Sequence, residues 1–520
     1  MEFGLRRPPG RGVVTDRVRA ARPGVFARCS PARGASATEM PDSAQVRGRC
    51  FGAENNPIAE VLMTVSIRRR WIAVAAVGFA VAVGAPVAIA QTGANGPQLK
   101  ASTGDRTSEV RQAIQGGKAK NVILFLGDGM GDSEITSARN YARGAAGRLN
   151  MDELPLTGSY TTYSVQRNDP STPDYVTDSA ASGTGWATGQ KTYNGAISVD
   201  AYGNPQPSVL ELAKRNGYRT GDVTTAEVQD ATPAVLGSHV VDRDCKGPDE
   251  TSKKCAANAK ENGGAGSIAE QLVQTRPDVL LGGGSEYFDQ QVKAGKFKGK
   301  TVLDQAKAAG YQTASTGKEL EKAPKDKPVL GLFAKNDLEQ QWSGPAAKVG
   351  GTKPSKCEPN KKLPSGQPSL ADMTRKAIGN LESKKGFFLQ VEGASIDKRD
   401  HAADPCGQIG ETVGFDDAVA AGMAYARSHK DTLVLVTADH GHSSQIIPND
   451  AKSPGQTATL ITKEGAPMTI NYATNTPGES QEHTGTQVRV AGYGPQAANI
   501  TGLTNQTDMF STMRRALALH

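Results

Sequence analysis

Asn121-Val122-Ile123-Leu124-Phe125-Leu126 running into Gly127-Asp128-Gly129-Met130-Gly131 is the stretch that decides the fold. An unbroken apolar run with no alternation reads as a strand buried on both faces, the habit of strands in parallel sheets. The glycines after it let the backbone approach something closely. Ligands of open α/β sheets gather beyond the carboxyl ends of strands, so Asp128 is placed where a ligand would sit. A glycine turn with Asp128 as an ordinary loop residue is the plainer alternative.

The same pattern recurs down the chain. Val209 to Ala213 is helical and Gly217 to Thr225 suits a strand; Gln229-Asp230-Ala231-Thr232-Pro233 then opens a helix that includes His239, with Arg243 just before Cys245. Asp278 to Gly284 is a strand ending in glycines, and Ala371 to Leu381 is a helix. Gly386-Phe387-Phe388-Leu389-Gln390-Val391-Glu392 is a buried strand with a carboxylate at its end, and Asp431 to Ala438 repeats the arrangement before Asp439-His440. This alternation predicts an α/β fold with a large, mainly parallel central sheet and helices on both faces. Residues 315–366, rich in Lys, Pro and Gly, read as an insertion of loops.

In Tyr175-Val176-Thr177-Asp178-Ser179-Ala180-Ala181-Ser182-Gly183-Thr184-Gly185-Trp186 an extended segment turns into a helix. Ser179 stands at the helix start, where free N–H groups and the positive end of the helix dipole favour an anion. It is the candidate nucleophile; simple N-capping by the Asp178-Ser179 pair is the alternative.

Residues 1–62 lack any apolar period and read as disordered or as a mis-started upstream segment. Residues 63–90 read as a secretory signal peptide: Arg68-Arg69-Arg70, an apolar Trp71 to Ala85, and Ala88-Ile89-Ala90 before Gln91. That apolar run is short of the roughly 20 residues a spanning helix needs. Residues 91–120 form a polar N-terminal arm, mobile or partner-clasping, and 121–520 the main domain. The first 90 residues hold 13 Arg against 6 acidic residues, which accounts for the whole chain's +7. The remainder is electroneutral, which gives no support to nucleic-acid or membrane binding.

Cys29 and Cys50 fall in the discarded part, leaving Cys245, Cys255, Cys357 and Cys406, with three possible pairings. The short polar loop from 245 to 255 favours a local bridge and leaves Cys357–Cys406.

Strand-terminal Asp128, Glu392 and Asp439 would bring three carboxylates together, a cluster that calls for cations. Asp397 and His401 lie four apart, on one helix face. Asp439-His440-Gly441-His442 and the loop Gln481-Glu482-His483 supply further imidazoles. Mixed His/Asp donors suit zinc, and an all-oxygen set suits magnesium. Of seven histidines, His239, His429 and His520 lie outside such motifs and read as solvated or capping.

With Thr177-Asp178-Ser179-Ala180-Ala181, Gln229 to Pro233, Val391 to Asp397, Thr437 to His440 and Glu482-His483-Thr484-Gly485 in this order, the chain resembles the bacterial secreted alkaline phosphatases over nearly all of residues 110–520. The resemblance implies a secreted or periplasm-like homodimeric phosphomonoesterase with two Zn2+ and one Mg2+ per subunit. It implies Asp397, His401 and His483 at the first zinc, and Asp128, Asp439 and His440 at the second, beside Ser179. Asp128, Thr232 and Glu392 would hold magnesium, with Asp230 directly or through water. Arg243 matches the phosphate-gripping arginine; Asp178, Lys398 and His442 match positions that support these groups, and the two disulfides match the family's pairs. Small phosphate monoesters are the implied substrates, cleaved through a phosphoserine with net retention at phosphorus.

Gly183, Gly185 and Gly441 stand where the family often has alanine, which predicts a looser site. A sulfatase is disfavoured, because Ser179 lacks the Cys/Ser-x-Pro-x-Arg setting. A Ser-His-Asp hydrolase lacks its Gly-x-Ser-x-Gly elbow. A non-catalytic zinc- or phosphate-binding protein gives Ser179 no reason to stand beside the metals. A phosphodiesterase side activity stays open.

Overall fold

The computed structural model describes residues 105–520. The readings for residues 1–62 and 63–90, and the first part of the arm, lie outside the described residues. Ten strands build the central sheet: β1 (Asn121–Gly127), β2 (Leu156–Thr161), β3 (Arg219–Glu227), β4 (Val279–Gly283), β5 (Gln312–Ala314), β6 (Val329–Leu332), β7 (Phe387–Gly393), β8 (Thr432–Ala438), β9 (Val488–Tyr493) and β10 (Gly502–Asn505). Their spatial order is β10-β2-β9-β8-β1-β7-β3-β4-β6-β5. From β8 to β5 every pairing is parallel. Only β9 is antiparallel to both its neighbours. Central β1, β7 and β8 are buried along their whole length, which explains why they read as continuous apolar runs.

One layer of helices, Leu370–Leu381 and Pro405–Ser428, packs on one face of the sheet; Val209–Arg215 and Ala231–Gly237 pack on β3 and β7 from the other. Residues 315–366 depart from the reading as loops alone. Val329-Leu330-Gly331-Leu332 forms β6, and its Val329 and Leu330 are buried in the core. Four apolar residues between lysine-rich flanks are too few to show a period. A separate three-stranded sheet, Gln445–Ile447, Gln456–Ile461 and Pro467–Tyr472, has its own small core around Leu460, Ile470 and Tyr472. In the arm, Thr107–Ala113 is a helix with no buried residue, and Ala119 and Lys120 are tied to Ala516 and Asp431 by backbone hydrogen bonds of 2.8 and 2.7 Å. Disulfides join Cys245 to Cys255 and Cys357 to Cys406, the pairing expected.

Candidate active site and metal centre

Parallel register delivers the strand-end acids to one edge. Leu126 pairs with Glu392 on one side and Thr437 on the other, so Asp128 and Asp439 emerge side by side two residues further on. Gly129 follows at φ +64°, and a Cβ there would stand 3.0 Å from His442 Cδ2 and 3.1 Å from Asp397 Cβ. A glycine is required here twice over, by backbone conformation and by close approach. Its N–H donates to Asp439 Oδ1 at 2.8 Å and fixes that carboxylate.

The helix Ser395–His401 presents Asp397 and His401 together, as the four-residue spacing predicts, 3.4 Å apart. Asp397 also faces His442 at 3.1 Å and His483 at 3.3 Å. His401, His442, His483 and Asp397 can point ligand atoms at one ion, and Asp128, Asp439 and His440 form a second such group. His442 lies in the first cluster through its 3.1 Å contact with Asp397. His483 reaches the site from its loop by sharing Nδ1 with the Thr177 carbonyl at 3.0 Å.

Ser179 is the first residue of the helix Ser179–Thr188 and is almost fully buried. Asp178 is the N-cap, accepting from the Ala181 N–H at 2.9 Å. Capping thus falls to Asp178, and the Ser179 hydroxyl faces Asp128 and His440 instead. Ser179 Oγ lies 3.3 Å from His440 Nε2 and 3.4 Å from both Asp128 oxygens. Arg243 is tied at both ends of its guanidinium, to Asp178 at 3.1 Å and Asp230 at 3.0 Å. Lys398 holds the other Asp230 oxygen at 2.7 Å.

Electrostatics separates these carboxylates. Burial, and then Asp439, Asp397 and Glu392, push Asp128 well above the usual carboxylate range. Burial raises Glu392 to about 8 and Asp439 to about 6. Burial would raise Asp397 and Asp230 as well. Hydrogen bonds from His442 and His483 hold Asp397 well below its ordinary value, and Lys398, Lys246 and Arg243 do the same for Asp230. Buried Asp439 Oδ2 and Thr232 Oγ1 have no hydrogen-bond partner among the described residues. Repelling acids and orphaned oxygens are what a bound cation would satisfy, so the donor set fits metal.

A family model described as alkaline phosphatase matches residues 119–478 and 450–519. The chain belongs to the alkaline phosphatase family. It is 57% identical over 423 residues to alkaline phosphatase H of Pseudomonas aeruginosa, covering 80% of this chain and 88% of that protein. It is 54% identical over 425 residues to the alkaline phosphatase of Escherichia coli, covering 80% and 90%. The solved cold-active alkaline phosphatase of a psychrophilic Shewanella shares 26% identity at a TM-score of 0.58, covering 76% of this chain and 99% of that one. This alkaline phosphatase is accordingly a phosphomonoesterase, and metal dependence belongs to its family.

Sequence reading missed several neighbours of the site. Thr224 Oγ donates to Glu392 Oε2 at 2.5 Å, from the residue directly opposite on β3. Asp337 stands 3.5 Å from Lys398, and Lys246 pairs with Glu227 at 2.5 Å. Asp222, inside β3, is buried, and neither of its oxygens has a hydrogen-bond partner among the described residues. Its one visible signal was a charge within an otherwise strand-like run. His239, by contrast, lies just beyond the helix Ala231–Gly237 and is occupied structurally, by Glu211 at 3.2 Å and the Ser198 carbonyl at 2.9 Å. Of the three glycines expected to loosen the site, Gly183 and Gly441 have no spare room beside them. A Cβ at Gly183 would meet Val235 at 3.0 Å, and one at Gly441 would meet Thr486 at 2.5 Å.

Proposed function

We propose that this enzyme cleaves phosphate monoesters by nucleophilic attack of Ser179, giving a phosphoserine that water then hydrolyses. The observation that carries this reading is Ser179 Oγ at a helix N-terminus, 3.3 to 3.4 Å from Asp128 and His440 of one metal-capable group. No base stays free beside Ser179 once those residues bind metal, so activation must come from acidifying its hydroxyl. Asp397, His401 and His483 would hold one Zn2+, Asp128, Asp439 and His440 a second, and Asp128, Thr232 and Glu392 one Mg2+. Asp230, both of whose oxygens are engaged by Arg243 and Lys398, would act on the magnesium through water. Bound zinc supplies the Lewis acid that lowers the serine pKa and screens phosphoryl charge.

The residues do the rest. Arg243 aims two donors at nonbridging oxygens, a fork that lysine cannot reproduce. The Ser179 oxygen forms its bond to phosphorus as the bond to the alcohol oxygen breaks, and a second in-line displacement frees phosphate. Export is proposed from the residues 63–90 reading and from two disulfides, which persist in oxidising compartments. No helix among the described residues is long and apolar enough to cross a membrane. A homodimer is proposed from the family resemblance, with sedimentation as its check.

The decisive experiment measures hydrolysis of a chromogenic phosphate monoester at pH about 8 to 10, before and after chelation, for the native enzyme and Ser179→Ala. Zinc-restored turnover, collapse in the variant and net retention at phosphorus are expected. Retained turnover in Ser179→Ala, or inversion, would rule out the phosphoserine.

A further inference from the structure

Lys246 is a cation of the active site with no role in the reading above. Its ammonium lies 2.5 Å from Glu227 and 3.9 Å from Asp230 Oδ1, the oxygen that Arg243 uses. Its side chain is four-fifths buried, and the Tyr287 ring lies 5.8 Å beneath the charge. The backbone there is held as firmly: Cys245 is disulfide-bonded to Cys255, and the Lys246 carbonyl accepts from the Ala269 N–H at 3.0 Å. A lysine stem normally carries considerable freedom; this one has been fixed beside a carboxylate that already has two cationic partners.

Asp230 thus sits among three cations. Arg243 takes Oδ1 and Lys398 takes Oδ2, while Lys246 flanks Oδ1 without displacing Arg243. An aspartate balanced by Arg243 and Lys398 alone would draw the guanidinium more tightly and leave less of its positive charge for an incoming dianion.

We propose that Lys246 is a positioning residue of the phosphate grip: anchored by Glu227, it offsets the charge of Asp230 and so sets the orientation and available charge of Arg243. This rests on the reading of Arg243 as the group that binds phosphate. Lys246 touches no substrate atom. Its effect falls on anion affinity rather than on bond making, and it is graded by the charge of the anion.

The test compares native enzyme, Lys246→Met and Lys246→Arg in the fully metal-loaded state, using p-nitrophenyl phosphate as substrate and inorganic phosphate as inhibitor. Lys246→Met should raise KM and the phosphate Ki about tenfold, the scale of one charge removed at partly screened range from a dianion. Its kcat should stay within about twofold, and Lys246→Arg should recover most of the affinity, since the charge is kept. Unchanged KM and Ki in Lys246→Met, or a fall in kcat and bound metal with KM unmoved, would overturn the proposal. If Lys246→Met does not fold, Glu227→Gln carries the test: it loosens the anchor and should raise the phosphate Ki, and an unchanged Ki would overturn the proposal. Arg243→Ala is run alongside. A phosphate Ki unchanged there overturns the grip itself, whereas a rise there with none in Lys246→Met overturns only the role of Lys246.

Discussion

Gly129→Ala separates backbone strain from site geometry. At φ +64° an alanine costs roughly 1–2 kcal/mol for its left-handed conformation. A new methyl would also lie 3.0 Å from His442 Cδ2, 3.1 Å from Asp397 Cβ and 3.2 Å from Asp397 Cα. These are inside the ordinary carbon contact of about 3.5–4.0 Å. Rotating a side chain relieves the first contact only, because the Asp397 Cα belongs to the backbone of Ser395–His401. Asp397 must therefore shift by a few tenths of an ångström, and it faces three imidazoles within 3.4 Å. We expect a stability loss of about 2 kcal/mol, zinc affinity lower by about 10- to 100-fold, and kcat/KM lower by about 100-fold. Gly217→Ala is the control: its φ is +81° with nothing within 4 Å of the added atom. It should lose comparable stability and no activity. Denaturant unfolding, a competitive zinc titration and turnover at saturating metal read the three quantities. Zinc affinity within twofold of native in Gly129→Ala, or an equal activity loss in both variants, would refute the reasoning.

Two further perturbations test parts of the scaffold around the site. Thr224→Val removes the hydroxyl donated to Glu392 and should weaken magnesium activation of turnover about tenfold, with Thr224→Ser restoring it; an unchanged magnesium dependence would count against Thr224 as the group that orients Glu392. Asp152 joins Arg139 of the helix Asp132–Arg143 to Arg489 of β9, each at 2.7 Å. Burial alone would raise its pKa, but the two guanidiniums bring it to about 2. A depressed carboxylate contributes stability above its unfolded pKa of about 3.9 that is lost as pH falls through the folded value, so about 2 kcal/mol should disappear between roughly pH 4 and 2. Asp152→Asn should be less stable by that amount at pH 7 and should lose its share of this acid dependence. An unaltered acid unfolding profile would show that the pair is not coupled to folding.

Legibility of the chain followed burial and spacing. β1, β7 and β8 could be read because strands buried on both faces carry uninterrupted apolar runs, and their terminal acids then fall at one edge by parallel register. Asp397 and His401 could be read because helical spacing is local. β6 could not, since four apolar residues show no period and its place in the sheet depends on pairing with β4 and β5. Thr224, Lys246 and Asp337 escaped for a related reason: each acts on a residue supplied by another segment, and a threonine, lysine or aspartate in isolation looks like surface or turn chemistry. The glycines show the same limit from the other side. Glycine where the family often has alanine made Gly183 and Gly441 look like slack, but Val235 and Thr486 occupy the space their side chains would take. An alanine at either position must push a neighbour aside, so these glycines are conditions of tight packing against the serine helix and the His440-Gly441-His442 turn. Residues that act within one element write themselves into local sequence; those that act by what approaches them from elsewhere become readable only once the approach distance is known.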